Sequence, residues 1–359
     1  MAAPGLGFVT WDDERPSGGN TYDRELVAAL RATGMDVAVQ ALPGTWPVPS
    51  PEDMPALTQA LDAHQTSLVD GIVASAAPRQ IADAVAAGRR VVALVHMAAA
   101  DEIGLDPAER DRREETERHA LQAASAVVAT SRTAADDLAA RHGLTDVQVA
   151  RPGVRPAPAA AGSGHDDAPR LLAVGSLTPT KDQATFLHAL GRLRDLTWTA
   201  HLVGSPDVDP DYAARLRALV DESGLDERAE LTGALIGEAL ETEWAAADLL
   251  VLTSRSETFG LVVTEALSRG VPAVVTAGTG AVEALGRAGP DRRSGPAGAN
   301  LPGCVVPARD VVALAAVLRR WLTDPTLRTA LRREALDRRE RLPGWDTTAA
   351  MITEVLGVG

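Results

Sequence analysis

Short, uniformly apolar segments alternate with amphipathic helical patterns along almost the whole chain. Uniformly apolar strands are typical of parallel sheets that are covered on both faces. In the first half, strands are predicted at residues 7–11, 36–42, 68–74, 90–96, 126–130 and 147–150. Helices are predicted between them, for example at 21–33 and 131–142, and each of these is followed by a helix-closing glycine. The pattern predicts an α/β fold with doubly wound, Rossmann-like sheets.

Residues 153–169 interrupt this alternation with proline, glycine and small residues, as an interdomain linker does. The alternation then resumes, with strands predicted at 170–174, 199–203, 229–231 and 249–253 and helices at 181–193, 212–222, 237–247, 310–323, 326–341 and 346–356. Residues 289–303 are too rich in glycine and proline for regular structure.

We therefore predict two Rossmann-like domains. The predicted boundaries are 1–155 for an N-terminal domain, 156–169 for a linker, 170–342 for a C-terminal domain, and 343–359 for a helix that packs back toward the N-terminal domain. Two such domains would face a central cleft lined by the carboxyl ends of their strands, where open α/β sheets bind ligands.

Charge and cysteine content limit the partners of the chain. A net charge of −14 opposes general binding to nucleic acid or to anionic lipid, so no nucleic-acid partner and at most weak membrane association are expected. The single cysteine, Cys304, excludes an intramolecular disulfide and suits a cytoplasmic protein. The first residues lack the pattern of a signal peptide, and no segment has the apolar length of a membrane span.

The most informative motif lies in residues 248–286, where an apolar segment ends in a polar turn and a helix begins near Gly260. A helix start offers free N–H groups and the positive end of its dipole to an anion. Glu257 in the turn and Glu265 in the helix can accept hydrogen bonds from hydroxyl groups. Such a pair alone is also compatible with a carboxylate at a helix start and an ordinary exposed helical glutamate. Its strand–turn–helix setting instead indicates a ligand that is both a phosphate and a polyol, such as a nucleotide sugar.

The segment SRSETFGLVVTEALSRGVPAVVT resembles the region of two spaced glutamates in retaining glycosyltransferases of family 4, which have the two-Rossmann-domain GT-B architecture. Three further segments agree in order and spacing: PSGGNTYDREL, VGSLTPTKDQ and ELTGALIGEALETEWAAADLLVLTS. The resemblance covers nearly the whole chain, and it implies that the N-terminal domain (1–155) binds the acceptor and the C-terminal domain (170–342) binds the donor. It implies a retaining hexosyltransferase that uses a UDP- or GDP-sugar as donor substrate, needs no metal or other cofactor, acts on a small-molecule acceptor, and is a monomer or homodimer.

The resemblance also implies roles for individual residues. Lys181, Glu257 and His96 are the expected catalytic residues, and Asn20 and His96 are expected near the acceptor. The expected donor-binding residues are Gly18, Gly19, Ser176, Lys181, Leu235, Glu257, Thr258, Phe259, Gly260, Leu261 and Glu265. Three of these assignments have plainer alternatives: Gly18 and Gly19 in a simple turn between strand and helix, Lys181 as a solvated lysine, and His96 as a hydrogen-bonded structural residue.

One position departs from the family pattern. VGSLTPTKDQ places Lys181 at a predicted helix start, where a cation needs a counter-anion or solvent, and Thr180 and Gln183 have capping-box spacing. Most relatives carry an arginine at the position of Ser176. Either Lys181 and the helix start neutralise the departing diphosphate alone, or another residue such as Arg255 substitutes.

Other interpretations stay open at this point. A nucleotide-sugar epimerase or phosphorylase, or a non-catalytic nucleotide-sugar-binding protein, would fit the same architecture. The turn Gly278-Thr279-Gly280 lacks the third glycine of a dinucleotide fingerprint and is interpreted as a tight turn near the donor. Asp207 and Asp209 are interpreted as turn and helix-capping residues rather than as a metal site. The base, the sugar and the acceptor are not determined by the sequence.

Overall fold

The chain forms two parallel-sheet units in a computed structural model, which describes residues 5–11, 17–102, 104–164, 168–286 and 301–357. The first unit contains Met1–Gly153 and Pro343–Gly359, and the second contains Val154–Leu342. Each unit is built on one six-stranded sheet with helices on both faces.

The sheet of the first unit has the strand order β2-β1-β3-β4-β5-β6, and all its pairings are parallel. Its strands are β1 (Leu6–Trp11), β2 (Val37–Leu42), β3 (Thr66–Asp70), β4 (Arg90–Val95), β5 (Ala126–Ala129) and β6 (Val147–Val149). The connecting helices are α1 (Gly18–Ala32), α2 (Met54–Asp62), α3 (Gly71–Ala74), α4 (Pro78–Ala86), α5 (Pro107–Ala123) and α6 (Arg132–His142).

Both faces of this sheet are buried. Successive strand residues point to opposite faces, so Val92 and Leu94 join one apolar cluster while Val91 and Ala93 join the other. This double burial explains why the strands are apolar at every position and not at alternate ones.

The second unit repeats the plan with the strand order β12-β11-β10-β7-β8-β9, again with parallel pairings. Its strands are β7 (Arg170–Val174), β8 (Thr199–Val203), β9 (Ala229–Gly233), β10 (Leu249–Leu252), β11 (Ala273–Thr276) and β12 (Gly303–Val306). Its helices are α7 (Gln183–Gly191), α8 (Pro210–Glu222), α9 (Gly237–Ala246), α10 (Leu261–Ser268), α11 (Ala281–Ala284), α12 (Val311–Thr323) and α13 (Pro325–Arg339). Two apolar clusters cover the two faces of this sheet.

The last helix, α14 (Trp345–Leu356), belongs to the first unit although it follows the second unit in sequence. Ala349 and Ile352 are fully buried in the same apolar cluster as residues of α1 and β4. At its two ends, the Thr348 hydroxyl donates to the Arg151 carbonyl at 2.7 Å, and Arg90 donates to the Val355 carbonyl at 2.7 Å.

The segment predicted as a linker is attached to the second unit. The Ala160 N–H donates to the Arg269 carbonyl at 2.9 Å, and the Gly162 N–H donates to the Ala245 carbonyl at 3.0 Å. The boundary between the units therefore falls at 153/154 rather than within 156–169.

The observed strands differ from the prediction at two places. The apolar run at 68–74 is a strand only to Asp70, because the buried residues Gly71–Ala74 turn into the short helix α3. Residues Gly303–Val306 form the edge strand β12, whereas Gly303 was expected in an irregular segment. The rest of that segment, residues 289–300, lies outside the described residues.

In the described ranges, no helix combines the length and the apolar character that crossing a bilayer requires.

Candidate active site

The second sheet reverses its strand order between β7 and β10. From β7 the chain adds β8 and then β9 on one side, and it returns to place β10 on the other side. Ligands of open α/β sheets bind at the carboxyl ends of the strands at such a switch point. Lys181 lies in the loop after β7, and Glu257 lies in the loop after β10. The topology therefore brings the two predicted catalytic residues of this unit to one edge of the sheet.

These two residues form an ion pair. Nζ of Lys181 lies 2.5 Å from Oε1 of Glu257, and the same carboxylate oxygen accepts a hydrogen bond from the Ser254 hydroxyl at 2.8 Å. The Glu257 side chain is 11% exposed and that of Lys181 is 32% exposed. A partly exposed ammonium next to a more deeply buried carboxylate is open to a further negatively charged group from the solvent side.

Backbone contacts between the two loops fix this arrangement. The Thr253 hydroxyl at the end of β10 donates to the Asp182 carbonyl at 2.9 Å and to the Lys181 carbonyl at 3.1 Å. The Arg255 N–H donates to the Thr180 carbonyl at 2.7 Å. The backbone at Lys181 is thus held by hydrogen bonds from the Thr253 side chain and the Arg255 main chain, which belong to the loop that carries Glu257.

The expected position of Lys181 at a helix start is wrong by two residues. Helix α7 begins at Gln183, and its N-cap residue Asp182 has a left-handed backbone with φ 51°, so Lys181 lies in the turn before the helix. The expected capping box is also wrong, because the Gln183 side chain donates to the Ser176 carbonyl at 2.9 Å and to the Gly175 carbonyl at 3.3 Å. Gln183 thereby ties the loop of Ser176 to the start of α7.

Arg255 lies at the same loop and is paired with Asp182. One of its terminal nitrogens is 3.0 Å from Oδ1 of Asp182, whose side chain is 2% exposed. The hydrogen bond to Asp182 raises the pKa of the Arg255 guanidinium, so the side chain is a cation at all physiological pH values. Ser176 is half-buried and offers no charge of its own.

The start of helix α10 supplies unpaired backbone donors. Gly260 is the N-cap with φ 84°, a conformation that glycine adopts without strain. Among the residues that the structure describes, the N–H groups of Phe259, Gly260 and Leu261 have no acceptor. These N–H groups are the positive end of the helix dipole, which attracts an anion as the Lys181 ammonium does.

Glu265 lies one turn into α10 and is partly buried. Burial raises the pKa of its carboxyl group above the usual value; the nearby Arg269 counteracts this effect, and Glu241 adds to it. Arg269 is itself paired with Glu241 at 2.6 Å, so Glu265 is not the ion-pair partner of that arginine. The carboxyl group can accept hydrogen bonds from ligand hydroxyls.

The turn at 278–280 supports the Glu257 loop from behind. The Gly280 N–H donates to the Glu257 carbonyl at 2.7 Å, and Thr279 is buried with its hydroxyl bound to the Thr276 carbonyl at 2.9 Å. A β-carbon at Gly280 would lie 2.0 Å from the carbonyl oxygen of Thr258. Only glycine permits this approach of the two turns.

We expect the substitution Gly280→Ala to lower the free energy of unfolding by about 1–3 kcal/mol, because the new methyl group must displace the Thr258 carbonyl. Gly278→Ala is the matched control: φ at Gly278 is 75° and a β-carbon there would have no other atom within 4 Å, so only the backbone conformation is unfavourable. Urea unfolding measures the stability of both variants, and a separate binding assay measures their affinity for the donor. Equal stability and equal donor affinity in the two variants would contradict the supporting role of Gly280.

The remaining predictions in this unit concern its loops. Leu235 lies between β9 and α9 and is half-buried against the apolar cluster of the second sheet. Asp209 is the N-cap of α8 and accepts from the Tyr212 N–H at 2.8 Å, and Asp207 accepts from the Ser205 hydroxyl at 3.2 Å. The predicted capping role of Asp209 is confirmed.

The first sheet has its own switch point, between β1 and β3. Helix α1 follows β1 and begins at Gly18, with the Ser17 hydroxyl accepting from the Asn20 N–H at 3.0 Å. The expectation that Gly18 and Gly19 precede the first helix is therefore wrong. They form its first turn, because Ser17 provides the cap.

His96 directly follows β4 and packs against this first turn. A β-carbon at Gly19 would lie 3.3 Å from Cδ2 of the imidazole ring, and the ring of Tyr22 meets it edge-on at a centroid distance of 5.0 Å. Nε2 of His96 lies 2.7 Å from Oδ1 of Asp23 in α1. Gly18, Gly19, Asn20 and His96 thus belong to the first unit, whereas the other predicted site residues belong to the second.

The sequence analysis did not identify two aspartates near His96, and it did not use the fact that the chain has a single lysine. Asp23 and Asp70 form a buried group with His96, in which one ligand atom of each residue lies within 4.8 Å of the others. Of the 35 basic residues in the chain, Lys181 is the only lysine. The other 34 basic residues are arginines, and the one lysine lies beside Glu257 at the switch point of the second sheet.

Comparisons with known proteins agree with this geometry. A family model described as "Glycosyl transferases group 1" matches residues 160–338. The D-inositol 3-phosphate glycosyltransferase 1 of Catenulispora acidiphila is 32% identical over 238 residues, which are 60% of this chain and 53% of that protein. The D-inositol 3-phosphate glycosyltransferase of Paenarthrobacter aurescens is 29% identical over 285 residues, which are 73% of this chain and 66% of that protein. The matches thus span about a half to two thirds of these relatives.

Solved structures share the fold over the whole chain. A sucrose-phosphate synthase from Thermosynechococcus elongatus superposes with a TM-score of 0.79 at 20% identity, with 98% of both chains covered. Anabaena HepE in complex with UDP and glucose superposes with a TM-score of 0.75 at 19% identity, with 98% of this chain and 99% of that chain covered. The two six-stranded sheets are those of the GT-B architecture, and residues 160–338 form a domain of the group 1 glycosyltransferase family.

Proposed function

We propose that the protein is a retaining glycosyltransferase that moves a sugar from a nucleotide-diphosphate sugar to a small hydroxyl-bearing acceptor without a metal ion. The observation that carries the proposal is the Lys181–Glu257 ion pair, at 2.5 Å, at the switch point of the second sheet. It is joined by the N–H groups at the start of α10, which have no acceptor among the described residues. Together they offer a cation, oriented donors and a carboxylate to one ligand.

The chemistry follows from where charge develops. When the bond between the anomeric carbon and the diphosphate oxygen breaks, negative charge grows on the diphosphate and positive charge on the sugar. The Lys181 ammonium and the α10 N–H groups stabilise the first, and the Glu257 carboxylate stabilises the second. The acceptor oxygen forms the new bond on the same face, and its proton passes to the departing phosphate. Glu265 accepts hydrogen bonds from the ribose hydroxyls.

The choice of lysine has a physical reason. An arginine in this place would form two parallel hydrogen bonds with the Glu257 carboxylate and would stay bound to it. The compact ammonium of Lys181 can exchange the carboxylate for a phosphate oxygen when the donor arrives. The same exchange frees Glu257 to face the sugar.

The relatives suggest the first substrates to test. HepE was crystallised with UDP and glucose, and with UDP-glucose, which makes UDP-glucose the first donor for this chain. The curated relatives are named for D-inositol 3-phosphate, which makes that compound the first acceptor. We place the reaction in the cytoplasm, where the single cysteine, Cys304, would stay reduced.

The single lysine allows a direct test of the donor site. Besides the α-amino group, Lys181 carries the only primary amine of the chain, so an amine-acylating reagent reports on it without ambiguity. We expect UDP or UDP-glucose to slow acylation of Lys181 by more than about tenfold, because a phosphate-bound ammonium is a poor nucleophile. Mass spectrometry of the peptide that contains Lys181 measures the rate, and the α-amino group is the internal control.

The activity assay completes the test. Release of free nucleoside diphosphate only when an acceptor is added would support transfer. Protection of Lys181 without turnover on any acceptor would instead support a non-catalytic nucleotide-sugar-binding protein. Absence of protection by every nucleotide sugar would contradict the proposed donor site.

A further inference from the structure

A buried cluster of two carboxyl groups and one imidazole lies at the carboxyl ends of the strands of the first sheet. Asp23 projects from α1 and is 6% exposed, Asp70 ends β3 and is 1% exposed, and His96 follows β4. Their nearest ligand atoms all lie within 4.8 Å of one another. The three residues come from three separate elements, so the fold has assembled them at the switch point of this sheet.

The cluster carries more negative charge than its partners balance. With both carboxyl groups ionised, a protonated His96 would leave one negative charge buried and a neutral His96 would leave two. An uncompensated buried charge is strongly unfavourable, and such groups usually change their protonation state instead. Among the residues with described positions, the other titratable group that faces the ring is Tyr22, and its hydroxyl is already used in a 2.8 Å hydrogen bond to the Ala150 carbonyl.

The hydrogen bonds show which atom lacks a donor. Oδ1 of Asp23 accepts from Nε2 of His96 at 2.7 Å, and Oδ1 of Asp70 accepts from the Ile72 N–H at 2.7 Å. Oδ2 of Asp23 is buried and has no donor among the described residues. A proton on Asp70 would supply that donor and would also remove the excess charge.

We propose that Asp23 and Asp70 share one proton, and that Asp23 thereby acts as the positioning residue that holds His96 through Nε2–H and leaves Nδ1 for a ligand. Burial and then the charge of Asp23 raise the pKa of Asp70 well above its usual value. Burial lowers the pKa of His96, but the charge and hydrogen bond of Asp23 outweigh this and raise it above its usual value. The direction for Asp70 agrees with that carboxyl group carrying the shared proton.

The consequence is a defined ring orientation and charge. Nδ1 of His96 has no hydrogen-bond partner among the described residues, and the side chain is 15% exposed. The edge of Tyr22 and the bare first turn at Gly19 hold the ring plane in place. In the protonated ring Nδ1–H would donate to a ligand oxygen, and in the neutral Nε2–H ring Nδ1 would accept from a ligand hydroxyl. The identity of this ligand as the glycosyl acceptor or the transferred sugar rests on the proposed function. The shared proton is independent of that function.

NMR of the imidazole nitrogens tests the proposal without any substrate. The His96 signals are assigned by their loss in a His96→Gln variant, since the chain has seven histidines. We expect the Nε2-protonated form in the neutral ring and a titration midpoint above the ordinary value of about 6.5. Asp23→Asn should lower that midpoint by at least about one pH unit, because it removes the charge that faces the ring.

Asp70→Asn is the discriminating variant. The asparagine amide is neutral like a protonated carboxyl group and can donate to Oδ2 of Asp23, so the His96 midpoint should stay within about half a pH unit of the wild-type value. A decrease as large as that caused by Asp23→Asn would show that Asp70 is ionised and would overturn the proposal.

A cation is the competing way to neutralise the cluster, since its three groups are spaced as metal ligands can be. We expect the His96 signals to be the same after EDTA treatment and after addition of Zn²⁺ or Mg²⁺. A cation-dependent change of these signals that Asp70→Asn abolishes would mean that a metal, and not a proton, compensates the charge.

Unfolding at different pH values provides a second measurement that needs only Asp70→Asn. A carboxyl group with a raised native pKa stabilises the fold fully below its ordinary pKa of about 3.9, and this contribution is lost as the pH rises toward the native value. The ratio of the wild-type to the variant unfolding constant should therefore increase with pH over that range, by up to about tenfold per pH unit. A ratio that does not depend on pH would refute the shared proton. Neither measurement involves a sugar donor. A result against the shared proton would therefore leave the proposed function untouched, and the reverse also holds.

Discussion

Replacing Lys181 with methionine is expected to lower kcat/KM for glycosyl transfer by about 10²- to 10³-fold, the effect of removing one preorganised group that stabilises developing negative charge. Methionine keeps most of the aliphatic stem and removes only the ammonium that lies 2.5 Å from Glu257. Because Lys181 is one third exposed, the lost ion pair should lower the free energy of unfolding by no more than about 1 kcal/mol. Steady-state kinetics and urea unfolding measure the two effects separately.

The chain offers a matched control at the opposite end of the same strand. Arg170 begins β7 and pairs with Glu243 at 3.5 Å, and the two side chains are 27% and 13% exposed, close to the values of the Lys181 pair. Arg170→Met should change stability more than activity. If both methionine variants retain wild-type kcat/KM, Lys181 has no role in the transfer step.

Replacing Glu257 with glutamine is expected to lower kcat by about 10²-fold or more, because the amide keeps the shape of the side chain but cannot stabilise positive charge on the sugar. Glutamine can still accept from the Ser254 hydroxyl, and the partly exposed Lys181 can turn to solvent, so the fold should be almost unaffected. Single-turnover kinetics with saturating donor separate the loss in the chemical step from any loss in binding.

Glu243→Gln is the control for this substitution, since Glu243 is a similarly buried carboxylate in an ion pair at the amino end of β7. It should leave kcat within about twofold of wild type. A Glu257→Gln enzyme with the same kcat as this control would exclude a role for the Glu257 charge.

The two sheets could be predicted from the sequence because a strand that is buried on both faces is apolar at every position. The same signal failed where an apolar run continued past the end of its strand, as at Gly71–Ala74, since periodicity does not distinguish a buried strand from a short buried helix. The strand Gly303–Val306 was missed because it follows a segment with the composition of a loop.

Local sequence pattern alone could predict the candidate site only where its residues are close in sequence, whereas the resemblance to a family supplied the roles of Lys181 and His96. Glu257 and the N–H groups before α10 share one strand–turn–helix motif, which local pattern reveals. The position of Lys181 depended on the left-handed backbone at Asp182, an individual feature that helix propensity does not encode. The contacts of His96 with Asp23 and Asp70 join residues up to 73 positions apart, so they depended on the topology of the sheet.

The position of α14 decides how the molecule can be divided. The polypeptide passes from the first unit to the second at 153/154 and returns at 342/343, so only the second unit is one uninterrupted stretch. A fragment that stopped at Gly153 would leave bare the apolar surface that Ala349, Ile352 and Leu356 normally cover, and would be prone to aggregate. The second unit can be excised with two cuts, whereas the first requires its distant C-terminal piece to be rejoined.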